Sequence, residues 1–375
     1  MNEIQADASE QPENEKDQIE LALARKKMKF WMLIGGMLML SAFLLAGISY
    51  FLLKKNDEKI ADVIRESAEE PGRAVIADLK NAKTRLLDGM PVESGSENIH
   101  PIAFMIDNHV DARPQFGLDK AQLVIEAEAE GGITRFLVFF STDEPIDKIG
   151  PIRSARPYFI DWSGELSALY VHVGGSPDAL AKMAKENSLH INEFYSGEYF
   201  WRGKDFAAPH NVFSSLEKMK GYLAKKDLSE GKFLAWRFKP EEEKDRRGTS
   251  TEITIDYFLP DFRIVWHYDR ESNEYVRYLG DKKQLASGGS EISAKNIIAQ
   301  FVKSEVIDEE KRQYFRHIGE GKALVCRDGF CRDGVWRKKS AQARTRFYDS
   351  GGQEFEFNAG VSWIQIVGPG QTRVE

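Results

Sequence analysis

Apolar and polar positions along the chain fall into three regimes. From Phe30 to Leu53 the sequence FWMLIGGMLMLSAFLLAGISYFLL carries no charge. With a rise of about 1.5 Å per residue, a helix of that length crosses a hydrocarbon core of roughly 30 Å. Residues 54–98 are charged, with scattered Ile, Val, Leu and Ala, and end in the turn-forming run DGMPVESGSENIH. This pattern predicts a stalk or linker. Beyond it, apolar runs of strand length alternate with clusters of acid, arginine, glycine and proline.

In the first such region, Ile102 to Ile106 reads as a buried strand that delivers Asp107 and Asn108 at its C-terminal end. Leu123 to Glu130 alternates, which predicts Glu126, Glu128 and Glu130 on one face and Ile125, Ala127 and Ala129 on the other. Gly131-Gly132 fits a two-residue hairpin turn into Ile133–Phe140, a register that sets Glu128 opposite Arg135. Pro157 suits the first position of a helix, with Arg153, Ser154 and Arg156 just ahead of it. Tyr170–Val173 reads as a strand, and Gly174-Gly175-Ser176-Pro177-Asp178 opens a second helix with Ser176 as N-cap. Residues 99–238 are therefore expected to form an α/β domain, a mixed sheet with helices.

The charge-rich stretch 239–250 predicts a linker. Residues 251–370 carry short β-branched and aromatic runs at 253–258, 263–268, 274–279, 297–306, 322–326, 344–348 and 363–367. Turn signals such as SGG, RDG, DSGG and GPG separate them, so a mainly antiparallel β domain is expected there.

Charge adds an orientation. Arg25, Lys26, Lys27 and Lys29 precede the uncharged run, against Lys54, Lys55 and Lys59 after it. The balance favours a cytoplasmic tail at 1–29, one transmembrane helix at 30–53, and all later residues outside the cell membrane. A formal net charge of −7 argues against a general nucleic-acid partner. The chain has only two cysteines, Cys326 and Cys331, and none near the apolar run, which excludes a lipid anchor on cysteine there. A two-residue turn at Asp328-Gly329 would set the two opposite each other, at a separation that suits a disulfide in an oxidising exterior.

The candidate chemistry concentrates between 101 and 211. The expected ligand-binding residues are Asp107, Asn108, Arg113, Glu126, Glu130, Arg135, Arg153, Ser154, Arg156, His172, Gly174, Gly175, His210 and Asn211. Strand ends and helix starts share one edge of an open α/β sheet, where unpaired N–H groups and arginines favour an anion. Arg153 and Arg156 are expected to face that ligand and not the core. The plainer alternative makes Arg135 and Arg153 partners of Glu126 and Glu130 in a structural network, and His172 a core histidine. No metal site is expected, because Asp107, Glu126 and Glu130 lack the spacing of a metal loop, and no cofactor is named. Nucleophile-elbow, Walker, HExxH and Rossmann signatures are missing. Three functions remain open. The first is a membrane-anchored protein that binds a phosphate- or carboxylate-bearing envelope ligand. The second is an enzyme of phosphoryl or glycosyl transfer on a lipid-linked precursor, with catalytic candidates Asp107, Glu126, Glu130 and His172. The third is a structural scaffold.

Ordered motifs then point to a family. MIDNHVDARPQFGL, EGGITRF, IGPIRSARPYF, YVHVGGSP and APHN resemble the N-terminal domain of the YerB-like bacterial lipoprotein family, whose domains have no known function. GVWRKKSAQARTRFYD with SWIQIV is similar to its C-terminal domain, so the resemblance covers roughly residues 95–370. It implies an extracytoplasmic two-domain protein and no particular activity. The chain departs from the family pattern in having an apolar helix where the family has a lipidated cysteine, and Gln122 where the family has an acid. Glu126 and Glu130 match the family motif and Glu128 does not, which ranks Glu128 last among the three acids.

Overall fold

Strands β1 (Ile102–Asp107), β2 (Leu123–Glu130) and β3 (Ile133–Phe140) bury nearly every residue on both faces, and only a sheet covered on both sides can accommodate that. The computed structural model, which describes residues 83–249 and 252–375, builds that sheet from ten strands. In the first half, β2 pairs with β3 and β3 with β1, both antiparallel. β4 (Leu169–His172) then joins β1, and β5 (His190–Asn192) joins β4, both parallel. On its other side β2 pairs in parallel with Ser362–Val367, which continues the sheet through Asn296–Phe301, Gly319–Arg327, Phe330–Lys338 and Arg346–Asp349. The two halves read from the sequence thus share one sheet, and the described residues belong to one compact unit, Leu79–Glu375. The expectation for the second half is corrected in one respect: Ser362–Val367 runs parallel to both of its neighbours.

Period-two alternation sorts the core. Met105, Ile125, Leu137 and Phe139 point to one face, where helix α1 (Pro157–Gly164) brings Tyr158, Phe159 and Trp162. Phe104, Val124, Phe136, Val138 and Trp363 point to the other face. That face is covered by a second sheet built on Glu252–Asp256, Arg263–Asp269 and Glu274–Leu279, with Trp266 edge-on to Trp363 at 5.1 Å. Pro157 occupies the first turn of α1, as its fixed φ allows. Ser176 caps α2 (Pro177–Glu186) through the Ala179 N–H at 3.3 Å. A third helix, α3 (Leu216–Ala224), packs Leu216, Met219 and Leu223 into the core.

The hairpin between β2 and β3 differs from the sequence expectation. Glu128 pairs with Thr134 and Glu130 with Ile133, so Ala129 is an extra, bulged residue. Arg135 consequently faces Ala127 and not Glu128. Ile133 and Thr134 lie on opposite faces of β3, so Glu130 is on the face opposite Glu126 and Glu128.

The expected tail at 1–29 and the expected membrane segment at 30–53 lie outside the described residues, as does most of the expected stalk. Among the described residues no helix is long and apolar enough to cross a membrane. Residues 83–98, read as the end of the stalk, pack on the folded unit: Leu87 is buried and the Asp88 carbonyl accepts the Gly360 N–H at 2.8 Å. At the far end, Asp328 and Gly329 take positive φ, 52° and 70°, and close a hairpin. Cys326 pairs directly with Cys331 across it, Cα to Cα 4.0 Å, and the two form a disulfide.

Candidate functional site

The bulge at Ala129 divides the acidic residues of β2 between two polar clusters, one on each face of the sheet. On the face covered by the second sheet, Glu126 is fully buried. It receives the Arg277 guanidinium at 2.8 and 3.0 Å, the Thr134 hydroxyl at 2.9 Å and the Trp363 ring N–H at 3.2 Å. Asn108 joins this cluster, donating to Thr134 at 2.7 Å and accepting from Arg113 Nε and Gln115, each at 3.1 Å. Arg113 also donates to the Asp261 carbonyl at 2.9 Å, which ties the first half to the second sheet. Burial and the nearby Arg277 pull its guanidinium down to about 10. Glu126, Asn108 and Arg113 therefore join the halves from inside.

The second cluster lies on the helix-covered face, at the C-terminal end of β1. Register puts Asp107 opposite Arg135. Arg135 donates to Glu130 at 2.6 Å and to the Ser154 carbonyl at 2.7 Å, and Arg156 closes on the other oxygen of the same carboxylate. Burial pushes the Glu130 carboxyl up, but Arg135 and Arg156 outweigh it and hold the group below the usual carboxylate range. Burial, and then repulsion from Arg156, draws Arg135 down to about 10.

Beside this clamp, the buried Asp107 carboxylate gathers two hydrogen-bond partners and an ion pair. Its Oδ1 accepts the His109 backbone N–H at 2.9 Å, and its Oδ2 lies 2.7 Å from His210 Nδ1 and 3.1 Å from Arg153 Nε. Arg153 also donates to the Pro209 carbonyl at 3.2 Å, and its side chain keeps 21% exposure. The His109 and His210 rings stack, centroids 4.7 Å apart. Asp107, Glu130, Arg135, Arg153, Arg156 and His210 thus meet at one strand end, with Ser154 contributing its carbonyl.

Others do not meet there. His172 is fully buried, with Nδ1 at 2.6 Å from the Gly174 carbonyl and Nε2 at 3.0 Å from His190; burial draws it down to about 4, so it is neutral. Gly174 has a φ of 58° and gives its N–H to Asn192, while Gly175 pairs with Ala155, so the loop before α2 closes on protein. Asn211 accepts from Arg202 at 3.0 Å. Sequence reasoning did not single out His109 and Asp111, although the spacing in DNHVD places both directly after Asp107. It also missed Arg277, which has no local signal. A cavity of ≈ 550 Å³, lined by Glu128, Tyr257, Val302, Phe315, Ile366 and Gln371 among others, opens elsewhere and includes none of the candidate residues.

Fold and site together describe a mixed-sheet protein of two interlocked halves, with an ionised cluster where β1 ends. Models for the N-terminal and C-terminal domains of a protein of unknown function (DUF3048) match residues 87–229 and 253–364. The chain belongs to this YerB-like family. It is 30% identical over 291 residues to YerB, a candidate lipoprotein of Bacillus subtilis (strain 168), a match that covers 75% of this chain and 85% of that protein. The crystal structure of YerB from Bacillus subtilis superposes with a TM-score of 0.70 at 28% identity, over 78% of this chain and 99% of that one.

Proposed function

We propose that the protein is anchored in the cell membrane through residues 30–53, N-terminus inside. Its folded unit then stands outside, where it binds an anionic, phosphate- or carboxylate-bearing envelope ligand at the Asp107–Arg153–His210 cluster. Three features support the location: the uncharged run with its basic flank, the lipoprotein description of the relative, and a disulfide of the kind that persists in oxidising compartments.

Arg153 carries the ligand assignment. Among the described residues, Arg135, Arg153 and Arg156 form ion pairs with Glu130 and Asp107, three cations against two anions, and Arg153 is the most exposed of the three. Its single carboxylate is shared with His210. An oxyanion would complete the fork by bidentate bonds that lysine cannot copy. The test is isothermal titration of inorganic pyrophosphate into the full chain in detergent. Saturable binding that Arg153→Lys weakens at least about tenfold is expected, since one lost charged bond is worth about 1.5–3 kcal/mol. Wild type that releases no heat, or an unaffected Arg153→Lys, overturns the reading.

A further inference from the structure

We infer that His109, Asp111 and His210 form a binding site for a divalent transition-metal ion of the zinc class. One donor atom from each lies within 4.8 Å of the others. Two imidazoles and one carboxylate suit zinc, iron(II), nickel or copper, whereas magnesium and calcium take oxygen ligands. Ligand bonds of about 2.0–2.1 Å in a tetrahedron set neighbouring donors roughly 3.3 Å apart. His109 Nδ1 and Asp111 Oδ2 are already 3.4 Å apart. The long bond from the Asp111 backbone N–H to that nitrogen, 3.2 Å, is one that an ion would displace.

His210 is prepared in a different way. Its Nδ1 is occupied by Asp107 Oδ2 at 2.7 Å, which leaves Nε2 as the ligating nitrogen. A carboxylate behind a metal-bound imidazole fixes the ring and raises its basicity. Asp107 is buried and also holds the His109 backbone, so one carboxylate positions both histidines. The remaining closure of the site requires the His109 ring, 32% exposed, to turn off its stack with His210, and the Asp111 side chain, 72% exposed, to follow it.

Three protein ligands leave a fourth position open, the pattern of catalytic and ligand-binding zinc sites. Arg153 shares Asp107 Oδ2 with His210, so an anion on that position would lie beside a guanidinium. The metal assignment does not need the anion assignment, and it is tested without any anion ligand. Zinc chloride is titrated into tag-free full-length chain in a non-coordinating buffer. One ion per chain is expected. His109→Ala, Asp111→Ala and His210→Ala should each weaken it at least about tenfold, and Asp107→Asn about 10–100-fold, the usual effect of losing a carboxylate behind the ligand. His267→Ala, at a partly exposed histidine far along the chain, should change nothing. His109 is partly exposed and Asp111 exposed, so their variants report even where His210→Ala fails to fold. Wild type that binds no zinc saturably, or zinc binding that persists in the His109→Ala and Asp111→Ala variants, overturns the inference.

Discussion

Without the Arg277 guanidinium, Glu126 would keep only Thr134, Asn108 and the Trp363 ring N–H around a carboxylate with no solvent contact. An uncompensated buried charge costs about 3–5 kcal/mol, so Arg277→Ala should lower the unfolding free energy by that order in a denaturant titration. A loss below about 1 kcal/mol would mean that the pair does not join the halves. His172 gives a second expectation. Its pKa falls to about 4 from the ordinary 6.5, so the unfolded chain takes up a proton that the folded chain refuses. The His172 contribution should be full above pH 6.5, decline as pH falls toward about 4, and change no further below that. Urea midpoints across that window, compared with His172→Asn, isolate the contribution; identical slopes would contradict it. At this scale the residue types were legible in the sequence and their partners were not. Glu126 and Arg277 are 151 positions apart, and nothing local in either stretch announces the other.

At the scale of elements, pattern and turn chemistry carried well. Alternation located β2, the Gly131-Gly132 turn located β3, Pro157 and Ser176 marked the starts of α1 and α2, and Asp328-Gly329 marked a hairpin. The bulge was invisible, because alternation in LVIEAEAE looks the same with or without an unpaired Ala129. That one residue decides which cluster Glu130 joins. Deleting Ala129 should set Glu130 directly after Glu128 and opposite Ile133 in a regular pair, so that it stays on the Arg135 face. The expected result is that Glu130→Ala lowers the denaturation midpoint of the deletion variant as much as that of the wild type, and a loss of that effect would refute the sorting by register. The disulfide closes a short loop, so its reduction should cost only about 2 kcal/mol. Comparing oxidised protein with the Cys326→Ser/Cys331→Ser variant measures this, and no difference would count against the estimate.

The whole molecule is less divisible than its sequence suggests. The charged stretch at 239–250 looks like a linker, yet Lys239 bonds Asp328 at 2.7 Å and Arg247 donates to the Glu242 and Arg270 carbonyls. No local signal predicts that β2 and Ser362–Val367 will pair, since each is simply a buried strand until its neighbour is known. Residues 83–238 made alone would leave that edge and the Glu126 face uncovered, and should lack a cooperative melt. We propose that the Arg277 side of the sheet holds the fold together while the Arg153 side receives a ligand. Paired thermal melts of Arg153→Ala and Arg277→Ala, with and without pyrophosphate, test it most directly. Arg153→Ala should melt within about 1 kcal/mol of wild type, as expected for a partly exposed pair, and lose the stabilisation by pyrophosphate. Arg277→Ala should melt far lower and, where folded, still be stabilised. A large loss for Arg153→Ala, with no pyrophosphate effect on wild type, would contradict the account.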